Sequence, residues 1–167
     1  THTVLQRTSP LPAVQEVSGR VAVLSGLSGH IYYHWLFDVL PRFEVLRKGL
    51  SAAVGEPLTL RQSFEYVDYF VVNGLSKPFQ KETLMTLGVP LEKVIESDRT
   101  PHIRAEELLV PSFAGHLDWV PPSSMDFLRE KLHNKRHSTS FLAQGLPAKR
   151  LYISRSNAKY RHVFNED

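Results

Sequence analysis

The 167-residue chain has no cysteine. That excludes disulfides, thiol nucleophiles and cysteine-held zinc, and it fits a bacterial or cytosolic setting better than a secreted one. No apolar run approaches the roughly 20 residues that a bilayer-spanning helix needs. There is no Gly-x-Gly-x-x-Gly, no Gly-x-x-x-x-Gly-Lys-Ser/Thr and no His-Glu-x-x-His. The dinucleotide fingerprint, the P-loop and the zinc-hydrolase helix are therefore all missing. Helix-turn-helix, RNA-recognition and zinc-finger spacings are missing too, so nucleic acid is not an expected partner. The first residues, Thr1-His2-Thr3, carry neither a Met nor a signal-peptide pattern. The chain is accordingly expected to be part of something longer.

What is present is ordinary for a globular protein, with 42% hydrophobic and 22% charged residues. The length suits one domain, or one domain and the start of another. A net charge of +3 conceals an asymmetry. Residues 129–161 hold nine Lys or Arg against the single acid Glu130, for +8, which leaves −5 for the rest. Such a run is either a solvated face or a surface that meets an anion such as phosphate.

Residues 1–19 read as an irregular lead-in, with a short strand at 14–17. The β-branched run 20–24 reads as a buried strand, closed by Ser25-Gly26-Leu27-Ser28-Gly29. From His30 the apolar period lengthens: Ile31, Trp35, Val39 and Phe43 recur every fourth residue, predicting a helix that Pro41 ends or kinks before 42–48. Gly49 and Gly55-Glu56-Pro57 predict loop. Residues 66–73 predict a strand, and Ser76-Lys77-Pro78 predicts a helix entry with Gly88 as its stop. Short strands are expected at 93–95 and 107–110. Ser123-x-x-Asp126 predicts a capping box for a helix over 125–133. A linker at 134–147 and a strand at 150–154 complete the pattern. Alternating short strands and helices predict an α/β fold with a mostly parallel sheet.

Three groups of residues could carry chemistry. In Gly29-His30-x-x-x-His34-x-x-x-Asp38, helical spacing puts His30, His34 and Asp38 on one stripe. A His oriented by a carboxylate one turn away can serve as a general base. Equally, His34 can pack with its ring hydrogen-bonded while Asp38 pairs locally. The second group, Arg155-Ser156-Asn157-Ala158-Lys159-Tyr160-Arg161, follows a strand, where a turn rich in cations suits a diphosphate; a basic surface loop is the other reading. The third, His102 with Glu106 and Glu107, is explained by a solvated strand edge. Trp35 and Trp119 could stack on sugars or bases, or fill core and turns.

The residues Tyr32-Tyr33-His34-Trp35-Leu36-Phe37-Asp38-Val39-Leu40-Pro41-Arg42 resemble the signature helix of the family 61 glycosyltransferases. That group includes bacterial capsular-polysaccharide enzymes, plant xylan-decorating enzymes and animal protein O-glycan transferases. Three further blocks follow in order. Pro78-Phe79-Gln80-Lys81-Glu82-Thr83-Leu84 leads to Leu87-Gly88-Val89 and Lys93-Val94-Ile95. Ala105-Glu106-Glu107-Leu108-Leu109-Val110-Pro111-Ser112 is the next. Arg150-Leu151-Tyr152-Ile153-Ser154-Arg155, with Arg161 and Asn165-Glu166, is the last. Together they span 29–167. Position 30 departs from the pattern, which has a small polar residue such as Asn where His30 stands.

The resemblance implies a GT-B architecture of two facing Rossmann-like domains, and inverting transfer from a nucleotide sugar, usually UDP-linked, to a glycan or protein hydroxyl. On that basis 1–28 are a lead-in and first strand, 29–133 an acceptor-side Rossmann-like domain, 134–148 a linker, and 149–167 the start of a donor-side domain. A chain of this extent would be an N-terminal part, inactive alone. His34 and Asp38 take the base or acceptor-binding role, and Arg155, Arg161 and Glu166 lie at the donor diphosphate. No cofactor is implied, because the nucleotide sugar is a substrate. No Asp-x-Asp pair marks a divalent-ion site. The implied location is the bacterial cytoplasm, at the inner membrane face, or the Golgi or ER lumen in a eukaryote. Two alternatives remain at this stage: a non-catalytic relative that binds a glycan or a partner, and a phosphate- or nucleic-acid-binding module that uses 129–161.

Overall fold

The computed structural model describes residues 10–116, 119–133 and 154–157. The chain divides into two units, Thr1–His133 and Asn134–Asp167. All regular elements described below belong to the first. The expected linker and the strand at 150–154 lie outside the described residues, apart from Ser154.

Strand β1 (Gln15–Val23) joins what the sequence presents as two short strands. A bulge between Val17 and Arg20 separates the two halves. Gly19 makes it possible, with φ 83° and no room for a Cβ beside the Asp68 carboxylate. That carboxylate accepts the Arg20 backbone N–H at 2.7 Å. Short helix α1 (Tyr32–His34) runs into a π-helical turn, Trp35–Val39, and then into α2 (Pro41–Val54). Pro41 thus neither ends the helix nor leaves a broken ladder. It has no N–H to give, and the chain widens by one residue ahead of it, so that Leu40 N–H donates to the Trp35 carbonyl at 3.0 Å. Helix α2 also runs straight through Gly49, where the sequence predicts loop. It stops at Gly55, whose φ of 86° is the left-handed cap.

Helix α3 (Leu60–Ser63) opens with a reciprocal capping box between Thr59 and Gln62. Strand β2 (Tyr69–Val72) is shorter than the apolar run that encodes it, because residues 64–66 form a 3₁₀ turn. Helix α4 (Pro78–Leu87), with Pro78 at its first position and Gly88 left-handed at φ 80°, matches its predicted bounds. Strands β3 (Val94–Glu96) and β4 (Ile103–Leu109) follow, the latter starting four residues earlier than expected. Helix α5 (Pro122–Leu132) has Pro121 as its N-cap, so Ser123 caps nothing. Ser124 is instead buried, with a hydroxyl that has no partner among the described residues.

The four strands are all parallel, in the order β3-β2-β1-β4. This is an α/β fold. Val21 pairs with Tyr69 on one side and Leu108 on the other, so β1 is central. The core packs α2 against the sheet. Phe43, Phe64 and Phe70 form a triangle of rings with centroids 5.2–5.9 Å apart, joined by buried Leu46, Leu50, Phe127 and Leu128. Such ring pairs add a little beyond the area they bury.

Arg47 secures the far end of α2. Its Nε and Nη2 donate to the Glu44 carboxylate at 2.7 and 2.6 Å, and its Nη1 to the Leu58 carbonyl at 2.8 Å. Those side-chain hydrogen bonds, aided by the nearby positive charges and opposed by desolvation, hold the Glu44 carboxyl below its ordinary value. A carboxyl depressed in the folded state stabilises above the ordinary carboxylate range and loses that contribution as the pH falls through its folded value. Glu44→Gln is therefore expected to flatten the acid limb of the stability curve by up to about 1 kcal/mol. Urea midpoints at pH 7 and pH 4 check this; equal acid loss in both proteins would contradict it.

Candidate functional site

Parallel strands bring their C-terminal ends to one edge. The chain leaves β1 toward β2 and β3, then returns with β4 to the opposite side of β1. Connections diverge at that point, and open α/β sheets form their ligand crevice there. A cleft of about 440 Å³ lies there. The segment after β1 contributes Leu27, Ser28, Tyr33, His34 and Asp38 to it, and the segment after β4 contributes Phe113, Gly115, His116, Trp119 and Val120.

Two buried polar side chains shape these segments. Asn73, at the end of β2, accepts the Gly26 N–H at 3.0 Å and donates to the Gly26 carbonyl at 2.8 Å. Its amide lies so close to Gly29 that any Cβ there would overlap it. Arg42, 4% exposed, donates Nη1 to the Ser25 carbonyl at 2.7 Å and both Nε and Nη2 to the Pro111 carbonyl. Its guanidinium also covers the Phe113 ring at 4.7 Å. One side chain therefore ties the end of β1 to the end of β4. Burial pushes the Arg42 pKa down from its ordinary value. Its acceptors among the described residues are neutral carbonyls. Ser28, between the two clamps, has φ 61°, a left-handed conformation uncommon for serine.

His34 and Asp38 meet as their spacing predicts. Imidazole Nδ1 is 2.6 Å from Asp38 Oδ2, with both side chains half-buried. A carboxylate can only accept, so Nδ1 carries the hydrogen, and in the neutral ring the lone pair is on Nε2. The Tyr33 ring stands edge-on to the imidazole at 5.3 Å. This is the arrangement of an oriented base.

His30 does not join them. The turn 27–30 is closed by hydrogen bonds from Gly29 to Gly26 and from Ile31 to Ser28, and the helix begins only at Tyr32. His30 is exposed, one element too early to share the stripe. His102 donates its Nδ1–H to the Pro12 carbonyl at 2.8 Å, and Glu107 accepts from Arg20 Nε at 2.7 Å. The third group is thus a paired strand edge. The tryptophans divide: Trp35 is fully buried, donating to Thr83 Oγ1 at 2.9 Å, whereas Trp119 is 49% exposed in the cleft. Arg155 lies in a turn where Ser154 Oγ accepts the Ser156 N–H at 3.2 Å. Arg161 and Glu166 lie outside the described residues.

Sequence reasoning missed His116. Its ring stacks on Trp119, with centroids 5.0 Å apart and planes 22° from parallel. The Trp119 N–H donates to the His116 carbonyl at 2.9 Å. A Cβ on Gly115 would collide with the Trp119 carbonyl. Among the described residues, no group of three or more His, Cys, Asp or Glu is placed to hold a metal ion, and no helix is long and apolar enough to cross a membrane.

Residues 32–167 match the family model described as Glycosyltransferase 61. Nothing among the curated proteins or the solved structures matches the chain.

Proposed function

The chain belongs to the glycosyltransferase 61 family, and from that premise we propose that it takes part in inverting transfer of a sugar from a UDP-linked donor to a glycan or protein hydroxyl. The observation that carries this reading is the His34–Asp38 pair, whose second imidazole nitrogen has no partner among the described residues, at the switch point of a parallel sheet. Inversion in one displacement requires a base that removes the acceptor hydroxyl proton as the new bond forms. It also requires positive charge for the departing diphosphate. His34 is the base, and Asp38 holds its ring and stabilises the imidazolium that forms. Arg155, with Arg161 and Glu166, serves the donor. The strand order β3-β2-β1-β4 supports a Rossmann-like domain and, with it, a GT-B enzyme whose acceptor side is the first unit.

The donor half of this reading is tested by Arg155→Lys in the full-length protein. A guanidinium fork matches two phosphate oxygens and a lysine ammonium does not. UDP affinity by calorimetry is expected to fall roughly tenfold, with the donor KM rising alongside. Unchanged UDP binding would remove Arg155 from the diphosphate site. Failure of the wild-type protein to bind UDP would overturn the donor assignment.

A further inference from the structure

We infer that the His116–Trp119 stack is a platform for a neutral saccharide ring, so that the group accepting the transferred sugar is itself a glycan rather than a peptide side chain. This rests on the reading of His34 as the acceptor's base and specifies what that base faces. The cleft offers both aromatic faces and polar groups. Its β4 side presents Phe113, His116, Trp119 and Val120, and its β1 side sets Ser28, His34 and Asp38 beside Leu27 and Tyr33. A pyranose needs both, with a face of C–H bonds that lies against an aromatic ring and a girdle of hydroxyls that takes hydrogen bonds.

Charge separates this ligand from the donor. Among the described residues none of those lining the cleft is Lys or Arg. Arg42 is 4% exposed, its guanidinium lies over the Phe113 ring, and each of its three nitrogens donates to a backbone carbonyl. A diphosphate here would meet the Asp38 carboxylate and no compensating cation, which is unfavourable. A neutral sugar meets no such penalty. Trp119 is half-exposed, with its ring stacked on His116 and its backbone N–H held by the His116 carbonyl. Phe113 and Trp119, both half-exposed in the lining of one cleft, make the kind of apolar surface that marks a ligand-binding groove.

Direct binding tests the inference without depending on turnover. Cellotriose, maltotriose and chitotriose are titrated calorimetrically into the full-length protein and into its Trp119→Ala and Trp119→Phe variants. At least one trisaccharide is expected to bind the wild type, with affinity reduced about tenfold or more in Trp119→Ala and about threefold in Trp119→Phe, which keeps an aromatic face. UDP binding is expected to be equal in all three, which also shows that the variants are folded. Equal trisaccharide affinity in Trp119→Ala, binding of none of the three, or binding of a serine- and threonine-rich peptide in their place would each overturn the platform. Loss of UDP binding in the wild type alone would instead strike the transferase reading and leave a saccharide result standing.

Discussion

His34→Ala in the full-length protein is expected to lower kcat for transfer by about 10²–10⁴-fold while leaving the melting curve in place. The stability half of this expectation follows from the location. His34 is half-buried, lies outside the core and, among the described residues, has one side-chain hydrogen bond, to Asp38. Asp38→Asn sharpens the test. An amide in that position can donate to Nδ1, which moves the ring hydrogen to Nε2 and removes the lone pair that the proposed base needs. That variant keeps the shape of the site and is expected to lose activity on the same scale. Turnover within a few-fold of wild type in either variant would end the assignment of a base to this pair.

The second large effect concerns Arg42, which touches no substrate in this scheme. Arg42→Met is expected to destabilise the protein by about 3 kcal/mol, because it strands the Ser25 and Pro111 carbonyls without the donor that satisfies them. The folded fraction is expected to show a raised acceptor KM, since the two segments that form the cleft are no longer tied together. Arg42→Lys retains charge but lacks the fork that reaches both carbonyls. It is expected to fall between wild type and Arg42→Met in a urea titration. A wild-type midpoint for Arg42→Met would show that water or rearrangement replaces the clamp.

Which parts of this were legible in the chain depended on how local their causes are. Helix α4 was readable to the residue, because a proline at its first position and a left-handed glycine after its last are local devices. The His34–Asp38 pair was readable for a similar reason, being one helical turn apart. His30 was misread because the Gly26–Gly29 turn delays the helix to Tyr32. Gly49 was misread because a weak helix former is tolerated where Leu46 and Leu50 on the same helix are buried. Ser123 was misread because two adjacent prolines fix the entry to α5 before it. His116 and Trp119 could not have been joined to His34 by any local rule. Their meeting depends on β4 returning to β1 rather than continuing beyond β3, which is decided by pairing across some 85 residues. The family resemblance supplied the role proposed for His34 and Asp38 but not the residues across the cleft from them.

The widened turn before Pro41 converts a question of shape into one of counting. Each residue of an α-helix advances by about 100°, so a step of four overshoots a full circle by about 40°. Trp35, Val39 and Phe43 are nevertheless all fully buried, and the five-residue turn absorbs the overshoot. Take one residue out of it, and a regular α-helix would keep His34 and Phe43 in phase; put one more in, and the core can hold Phe43 only by rotating His34 about a quarter-turn away from the cleft. The turn has already taken up its spare residue. Seven steps from His34 to Pro41 are thus an upper count, as much a part of the site as the imidazole itself.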